Sequence, residues 1–352
     1  MSWFGALVVP LKLEKHPDAD SLSICSLEQP FETTVVVRTQ DWEGRDRAVY
    51  IMPDSVVSDE PEFAFLGSKK RVKACKLRGV FSNGLLVPAR AHHQIGDEVS
   101  EEMGVVKYDD TLPLQPHGDV AHAPSGEIKY TDIESLRKYG RLFVQDEPVV
   151  ITEKIHGMNF RVVFQDGQLY AGSHRQWLKD GDNQLWRVVR DYGLEQKCSK
   201  FPNVIFFGEI YGWVQDLRYG CGPGQQELRL FDAFSISTGK FYDYEILDDT
   251  MGWLNGVGKD VSLAPVLYKG GWQGFDAHAH LAEGQSTLAD CVREGFVVRP
   301  LQERWDKRLG RLILKLHGEG YLLRDKTAKR PTPGIRQDDV APVGTEKVEG
   351  TI

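Results

Sequence analysis

The chain has 352 residues, 41% of them hydrophobic and 27% charged, with a formal net charge of −8 at pH 7. At about 150 residues per domain this length suggests two or three domains, and the balance excludes a disordered, collagen-like or fibrous chain. No apolar run reaches the roughly 18 residues of a membrane span, the N-terminal apolar stretch lacks a basic leader and ends at Pro10, and the five cysteines form no Cys-x-x-Cys pair, so the expectation is a cytoplasmic protein with neither a membrane partner nor a thiolate zinc site.

Residues 1–104 read as β-rich. Ala6–Leu13, Thr33–Arg38, Ala48–Met52 and Gly84–Val87 are short β-branched or aliphatic runs bounded by turn clusters such as His16-Pro17-Asp18 and Ser82-Asn83-Gly84. Strands at this spacing predict a small barrel. Lys69, Lys70, Arg71, Lys73, Lys76 and Arg78 place six positive charges within ten positions. That local patch suits phosphate contact although the whole chain is acidic. Residues 105–129, rich in Pro, Gly, Asp and His, read as a linker.

From 130 to 323 strand-like and helical runs alternate, predicting an α+β domain. Tyr130–Leu142 reads as a short helix followed by a strand. Val149–Thr152, Asn159–Phe164, Val204–Phe207, Leu228–Phe234 and Gly295–Arg299 read as strands, and Gln184–Tyr192 and Phe241–Leu254 as helices. Residues 324–352 carry few large apolar side chains and read as a disordered tail.

Five segments carry chemistry. In Glu153-Lys154-Ile155-His156-Gly157 a lysine follows a β-branched strand and precedes a glycine turn, which can present the amine at the mouth of a pocket. Only the neutral amine is nucleophilic, so a reactive Lys154 calls for a pocket that lowers its pKa. Phe207-Gly208-Glu209 ends a hydrophobic strand on a carboxylate. Leu230-Phe231-Asp232-Ala233-Phe234 is a strand with aromatics. Glu294 and Arg299 bracket a buried strand, on opposite faces by simple alternation unless a bulge intervenes. Lys315 stands inside the apolar run 311–316, where a lysine flanked by aliphatic residues suggests a cavity. His278-x-His280 lacks a third ligand, and Gly256-Val257-Gly258-Lys259 lacks the full phosphate-loop spacing.

In this order the segments resemble the covalent nucleotidyltransferase superfamily of polynucleotide ligases and mRNA-capping enzymes, and most nearly the nick-sealing RNA ligases. Glu153–Gly157 resembles motif I, with His156 where DNA ligases and capping enzymes usually carry Asp. Ser173-His174-Arg175 resembles motif Ia, Phe207–Glu209 motif III, Leu230–Phe234 motif IIIa and Glu294–Pro300 motif IV; Lys315 is similar to a motif V lysine. Two departures stand out. Arg299 replaces the lysine that often precedes the motif IV proline, and Ile313 and His317 flank Lys315 where a second motif V lysine is usual. His16–Leu22 and Val72–Gly84 resemble tRNA-binding OB domains, and an OB module ahead of a ligase core is the layout of the Deinococcus-type RNA ligases.

The resemblance implies a multidomain fold, an N-terminal β OB-fold barrel followed by an α+β nucleotidyltransferase (ATP-grasp-like ligase) domain. It implies an ATP-dependent RNA ligase for RNA repair, using Mg²⁺ or Mn²⁺ and working through lysyl-AMP and adenylylated-RNA intermediates, with a nicked duplex as partner and a monomeric state. Lys154 would be the nucleophile. Glu153 would read the adenine edge, Phe231 would stack on its face, and Arg175 and Glu209 would hold the ribose. Glu294 would bind metal, Lys315 and Arg299 would contact phosphate, and Asn159 would line the nucleotide site and act at the nick. The basic cluster from Lys69 to Arg78 would track RNA. Two alternatives remain at this point: a GTP-dependent capping-type guanylyltransferase, which His156 disfavours, and a non-catalytic RNA-binding protein with a degenerate ligase core.

Overall fold

The computed structural model describes residues 4–28, 31–66, 70–108, 120–128, 130 and 132–324. Lys69, residues 109–119 and 129 of the expected linker, and the expected tail from 325 onward lie outside the described residues.

The N-terminal module holds β1 (Ala6–Pro10), β2 (Leu13–Lys15), β3 (Leu22–Leu27), β4 (Thr33–Arg38), β5 (Arg47–Ile51) and β6 (Ser55–Val56), then β7 (Ala74–Leu77), β8 (Val80–Asn83), β9 (Leu85–Pro88) and β10 (Val106–Lys107). They pair as two three-stranded sheets, β1-β5-β9 and β2-β3-β4, with a β7-β8 hairpin and a β6-β10 pair. Alternation explains the packing of β3. Cys25 and Leu27 point inward while Ser26 faces solvent. Those side chains meet Val35, Val37, Ala48, Tyr50 and Leu86 in one core shared by both sheets. β10 belongs to this module through β6, whereas residues 120–128 pack on the second domain, where Ala121 N–H donates to the Trp177 carbonyl at 2.9 Å. The expected linker therefore divides between the two.

The C-terminal domain opens with β11 (Glu134–Ser135) and α1 (Leu136–Tyr139). Here the order is strand then helix, the reverse of the expectation, because Glu134 and Ser135 pair in parallel with Leu314 and Lys315. There follow β12 (Pro148–Lys154), β13 (Met158–Gln165), β14 (Gln168–Gly172), β15 (Trp177–Leu178), α2 (Gln184–Asp191), α3 (Leu194–Cys198), β16 (Val204–Gly212), β17 (Gln226–Ser235) and β18 (Lys240–Phe241). The chain closes with α4 (Tyr244–Leu254), β19 (Ser262–Leu263), β20 (Val266–Gly271), α5 (Phe275–Ala279), β21 (Gly295–Pro300), β22 (Trp305–Asp306), β23 (Gly310–Arg311), β24 (Leu314–His317) and α6 (Glu319–Leu322). α4 starts three residues later than expected because Phe241 is taken by β18, opposite Phe234. The run 311–316 is likewise split. Arg311 pairs with Trp305 in a hairpin, and only Leu314–His317 joins the sheet. His278 lies in α5, its Nε2 accepting the Gln273 N–H at 3.2 Å.

Two sheets result. One runs β11-β24-β21-β12-β20. The other runs β15-β14-β13-β16-β17-β18, with β19 added on β17. The helices α2, α3 and α4 bury Leu185, Val188, Leu194 and Leu247 against the second sheet, whose Phe160, Val162, Phe206 and Leu230 complete the largest core. β12 belongs to the first sheet and β13 to the second, so residues 155–157 carry the chain from one to the other. Gly157 makes this crossing possible, since a β-carbon there would stand 2.1 Å from the Ile210 carbonyl oxygen. No helix among the described residues is long and apolar enough to cross a membrane.

The modules meet through polar contacts. Lys107 reaches Asp132 at 3.1 Å and Glu134 at 3.2 Å. Lys138 donates to the Phe4 carbonyl and lies 3.6 Å over its ring, and Arg137 donates to the Glu32 carbonyl.

Candidate active site

Between the sheets lies a cavity of about 270 Å³. Thr152, Glu153 and Lys154 enter it from β12, Asn159 from β13, Glu209 from β16, Phe231 from β17, Val297 and Arg299 from β21, and Lys315 from β24. Tyr130, Asp132, Ile133, His174, Tyr244 and Leu263 are also part of the wall. Seven of the eight nucleotide-site residues expected from the sequence thus converge, drawn from both sheets. Arg175 is the exception. It is exposed, and its neighbour His174 faces the cavity instead. Residues 173–176 form a turn outside any strand, so alternation could not decide which side chain points inward.

Lys154 ends β12, its Nζ 2.9 Å from Glu294 Oε1. Burial pushes the amine down, but the Glu294 and Glu209 carboxylates outweigh it and hold the amine protonated. The protein's own groups therefore raise the Lys154 pKa where the sequence reading called for a lowering. Glu294 is held below the usual carboxylate range: burial opposes this, and Lys154, His317 and His156 prevail. Its second oxygen, Oε2, is buried with no partner. Glu209 is pushed up to about 8 by burial, against the pull of Lys154. Burial and Lys154 lower both Lys315 and, to about 3, His317.

Glu294 reaches the lysine because Gly295 breaks the alternation of β21. Its φ is +148°, and a β-carbon there would lie 2.0 Å from the Leu316 carbonyl oxygen. Phe296 and Val298 then face the core, while Glu294 and Arg299 serve the same site.

Three groups of expected residues already hold protein partners. The Glu153 Oε1 accepts the Ser286 hydroxyl, and its Oε2 accepts Thr287 N–H at 2.8 Å and Thr287 Oγ1 at 2.7 Å. Arg299 Nη1 donates to Asp232 at 2.9 Å, leaving Nη2 buried without a partner. In the basic cluster Arg71 pairs with Asp54 at 2.6 Å and stacks 3.6 Å over Tyr108, and Lys70 donates to the Phe63 carbonyl. Lys73, Lys76 and Arg78 remain exposed on or beside the β7-β8 hairpin.

Asp232, quoted in the sequence only as part of a strand, is the buried centre of this region. It accepts Arg299, Arg311 at 2.5 Å and Tyr130 Oη at 2.9 Å. Asp216, also missed, sits 2.7 Å from His156. Nothing in the sequence pointed to it, since its partners lie 60 and 108 residues away. The unpartnered Asn159 Oδ1 is a further buried acceptor in a cavity-lining residue.

The donor set of Glu294 and Glu209 is oxygen only. With a buried orphan oxygen beside the lysine, it fits a hard divalent cation such as Mg²⁺ or Mn²⁺. A second cluster, His92, His93 and Glu102, does not fit a metal. His93 Nδ1 accepts the Arg90 N–H at 3.1 Å, so Nε2 carries the proton and donates to Glu102 at 3.1 Å. Arg90 holds the same carboxylate at 2.6 Å.

Residues 147–317 match the RNA ligase family model, and residues 10–89 match an OB-fold domain. No curated protein matches the chain. Among solved structures, a lysine-to-alanine variant of Naegleria gruberi RNA ligase with ATP and manganese is 21% identical, with a TM-score of 0.75 over 90% of this chain and 98% of that one. A lysine-to-methionine variant with AMP and manganese gives 21%, 0.74, 90% and 97%. The same ligase with pyrophosphate gives 21%, 0.74, 91% and 98%. At this identity the likeness establishes a shared fold.

Proposed function

We propose that this chain, whose residues 147–317 belong to the RNA ligase family, is an ATP-dependent ligase that joins a 3′-OH RNA end to a 5′-phosphate end at nicks in a duplex. The observation that carries the reading is the convergence of Lys154, Glu209, Phe231 and Lys315, from four strands of two sheets, on one cavity, with Glu294 held 2.9 Å from the lysine. The Naegleria structures hold ATP, AMP, pyrophosphate and manganese on the same fold, which supports ATP and a divalent metal here.

In the first step the Lys154 amine attacks the ATP α-phosphorus. The bond to the bridging oxygen breaks, pyrophosphate leaves, and a lysyl–AMP phosphoramidate remains. The AMP then passes to an RNA 5′-phosphate, and a 3′-OH displaces it. Phosphoryl transfer of this kind rests on positioning and charge neutralisation. Phe231 offers a face for the adenine, Lys315 a cation for phosphate, and Asn159 an acceptor beside the nick. Arg299 contributes through its remaining Nη2, and Glu153 fixes the 286–287 loop.

Before attack the ammonium held by Glu294 and Glu209 must lose its proton. A divalent cation bound by these two carboxylates would supply the opposing charge that lowers the amine's proton affinity and neutralises the α-phosphate. The exposed Lys73, Lys76 and Arg78 would follow the RNA backbone.

Incubation with [α-³²P]ATP and Mn²⁺ should label the protein covalently, and Lys154→Ala should abolish the label. Label persisting on K154A would overturn the lysine assignment. Label from GTP alone would overturn the ATP reading. Labelling without sealing of a nicked RNA duplex would overturn the substrate.

A further inference from the structure

We propose that Asp216, Tyr321 and Arg324 are positioning residues that act through His156 to hold Glu294 against the Lys154 amine. The proposal rests on the ligase reading above.

His156 lies two residues beyond the lysine, in the turn between the sheets. Its Nε2 is 2.7 Å from Asp216 Oδ1. A carboxylate can only accept, so Nε2 carries a proton, and Nδ1 is hydrogen-bonded to the Tyr321 hydroxyl at 3.0 Å. Both ring nitrogens are therefore committed, and the imidazole cannot rotate without losing a bond. Asp216 is fixed in turn. Arg324 Nε donates to its Oδ2 at 2.8 Å and Nη2 to its Oδ1 at 3.2 Å. The Arg324 guanidinium lies 3.6 Å over the Tyr321 ring. The backbone of the turn is anchored from the same loop, with His156 N–H donating to Tyr219 Oη at 2.8 Å and Gln215 Nε2 to the Gly157 carbonyl at 2.6 Å.

The fixed ring is a wall for Glu294. His156 Nδ1 stands 3.9 Å from Glu294 Oε1 and His317 Nε2 3.7 Å from the same oxygen, while Lys154 Nζ holds that oxygen at 2.9 Å. His156, Asp216 and Arg324 have side chains only 12%, 13% and 8% exposed. Few waters can replace a lost partner there. A buried carboxylate that must keep one orientation toward an amine and a cation depends on such outer partners, whose removal typically costs about 10–100-fold in affinity or activity.

The experiment compares wild type, Asp216→Ala, Asp216→Asn and Tyr321→Phe in the full chain. Three quantities are read: single-turnover ATP labelling, Mn²⁺ binding to nucleotide-free protein from the free-ion EPR signal, and Tm. D216A should label about 10–100-fold more slowly and bind Mn²⁺ more weakly. D216N keeps an acceptor for Nε2 but turns its NH₂ toward the Arg324 donor, so it should recover part of both. Y321F, which removes one hydroxyl, should show a smaller loss in the same two readouts with Tm within a few degrees of wild type. D216A matching wild type in label and Mn²⁺ binding overturns the proposal. So does D216N no better than D216A at equal Tm. If D216A fails to fold, Y321F with unchanged Mn²⁺ binding overturns it equally. Wild-type protein that takes no label overturns the ligase reading instead.

Discussion

Replacing Asp232 by Asn should cost the C-terminal domain about 3–5 kcal/mol, the range found when one partner of a buried ion network is removed. Asp232 is fully buried and accepts from two guanidiniums and one phenol. The amide keeps the shape but loses the charge, and its NH₂ must face either Arg299 or Arg311, both of them donors. Glu303 stays bound to Arg311 at 2.6 and 2.7 Å and lies 3.6 Å from Arg299, which keeps the loss near the lower end. At roughly 2–4 °C per kcal/mol for a domain of this size, Tm should fall by about 6–12 °C at neutral pH. The effect carries a pH signature. Burial pushes the Asp232 carboxyl up, but Arg311 and Arg299 prevail and hold it below its ordinary value. A carboxyl depressed by folding contributes its stability above the unfolded pKa near 3.9 and loses it as pH falls through the folded value. The gap between wild type and D232N, followed by near-UV circular dichroism, should thus be full at pH 7 and narrow below about pH 4. A mutant melting within about 2 °C of wild type at pH 7 would refute the reasoning, because the two guanidiniums would then need no buried anion.

Three further outcomes follow from the geometry. Glu209→Gln should abolish ATP labelling yet raise Tm above pH 8, since folding raises this carboxyl to about 8 and the charged form weakens the fold at higher pH; a lower Tm at pH 8.5 would contradict this. Gly295→Ala should cost about 3 kcal/mol in urea unfolding, because φ is +148° and the β-carbon meets the Leu316 carbonyl; unchanged stability would mean that β21 can shift. The triple variant K73A/K76A/R78A should keep ATP labelling but bind nicked RNA more weakly, flattening the salt dependence by roughly 0.9 per lost phosphate contact; an unchanged slope would remove the hairpin from the RNA path.

The sequence made legible what depends on local pattern. Thr33–Arg38 is a strand over the expected residues because its β-branched run is bounded by turns. Lys154, Glu209, Phe231 and Lys315 meet because each stands on a strand whose alternation aims it. What was not legible depends on contacts between distant residues or on a single backbone angle. The partners of Arg299, Glu153 and His156 lie 67, 133 and 60 residues away, and no spacing rule joins them. Plain alternation put Glu294 and Arg299 on opposite faces, and only the dihedral of Gly295 reverses that. The charge on Lys154 followed the same logic, since it is set by two carboxylates distant in the chain, Glu209 and Glu294.

The crossing of β12 into β13 gives the nucleotide a mechanical part as well as a chemical one. The turn at 155–157 is a covalent hinge between the two sheets, and adenylate on Lys154 would lie against Phe231 and Glu209 of the opposite layer. The modified protein would then carry a strut across its own cleft. It should resist heat and proteases better than the free form, and each adenylate handed to RNA would loosen the cleft that released it.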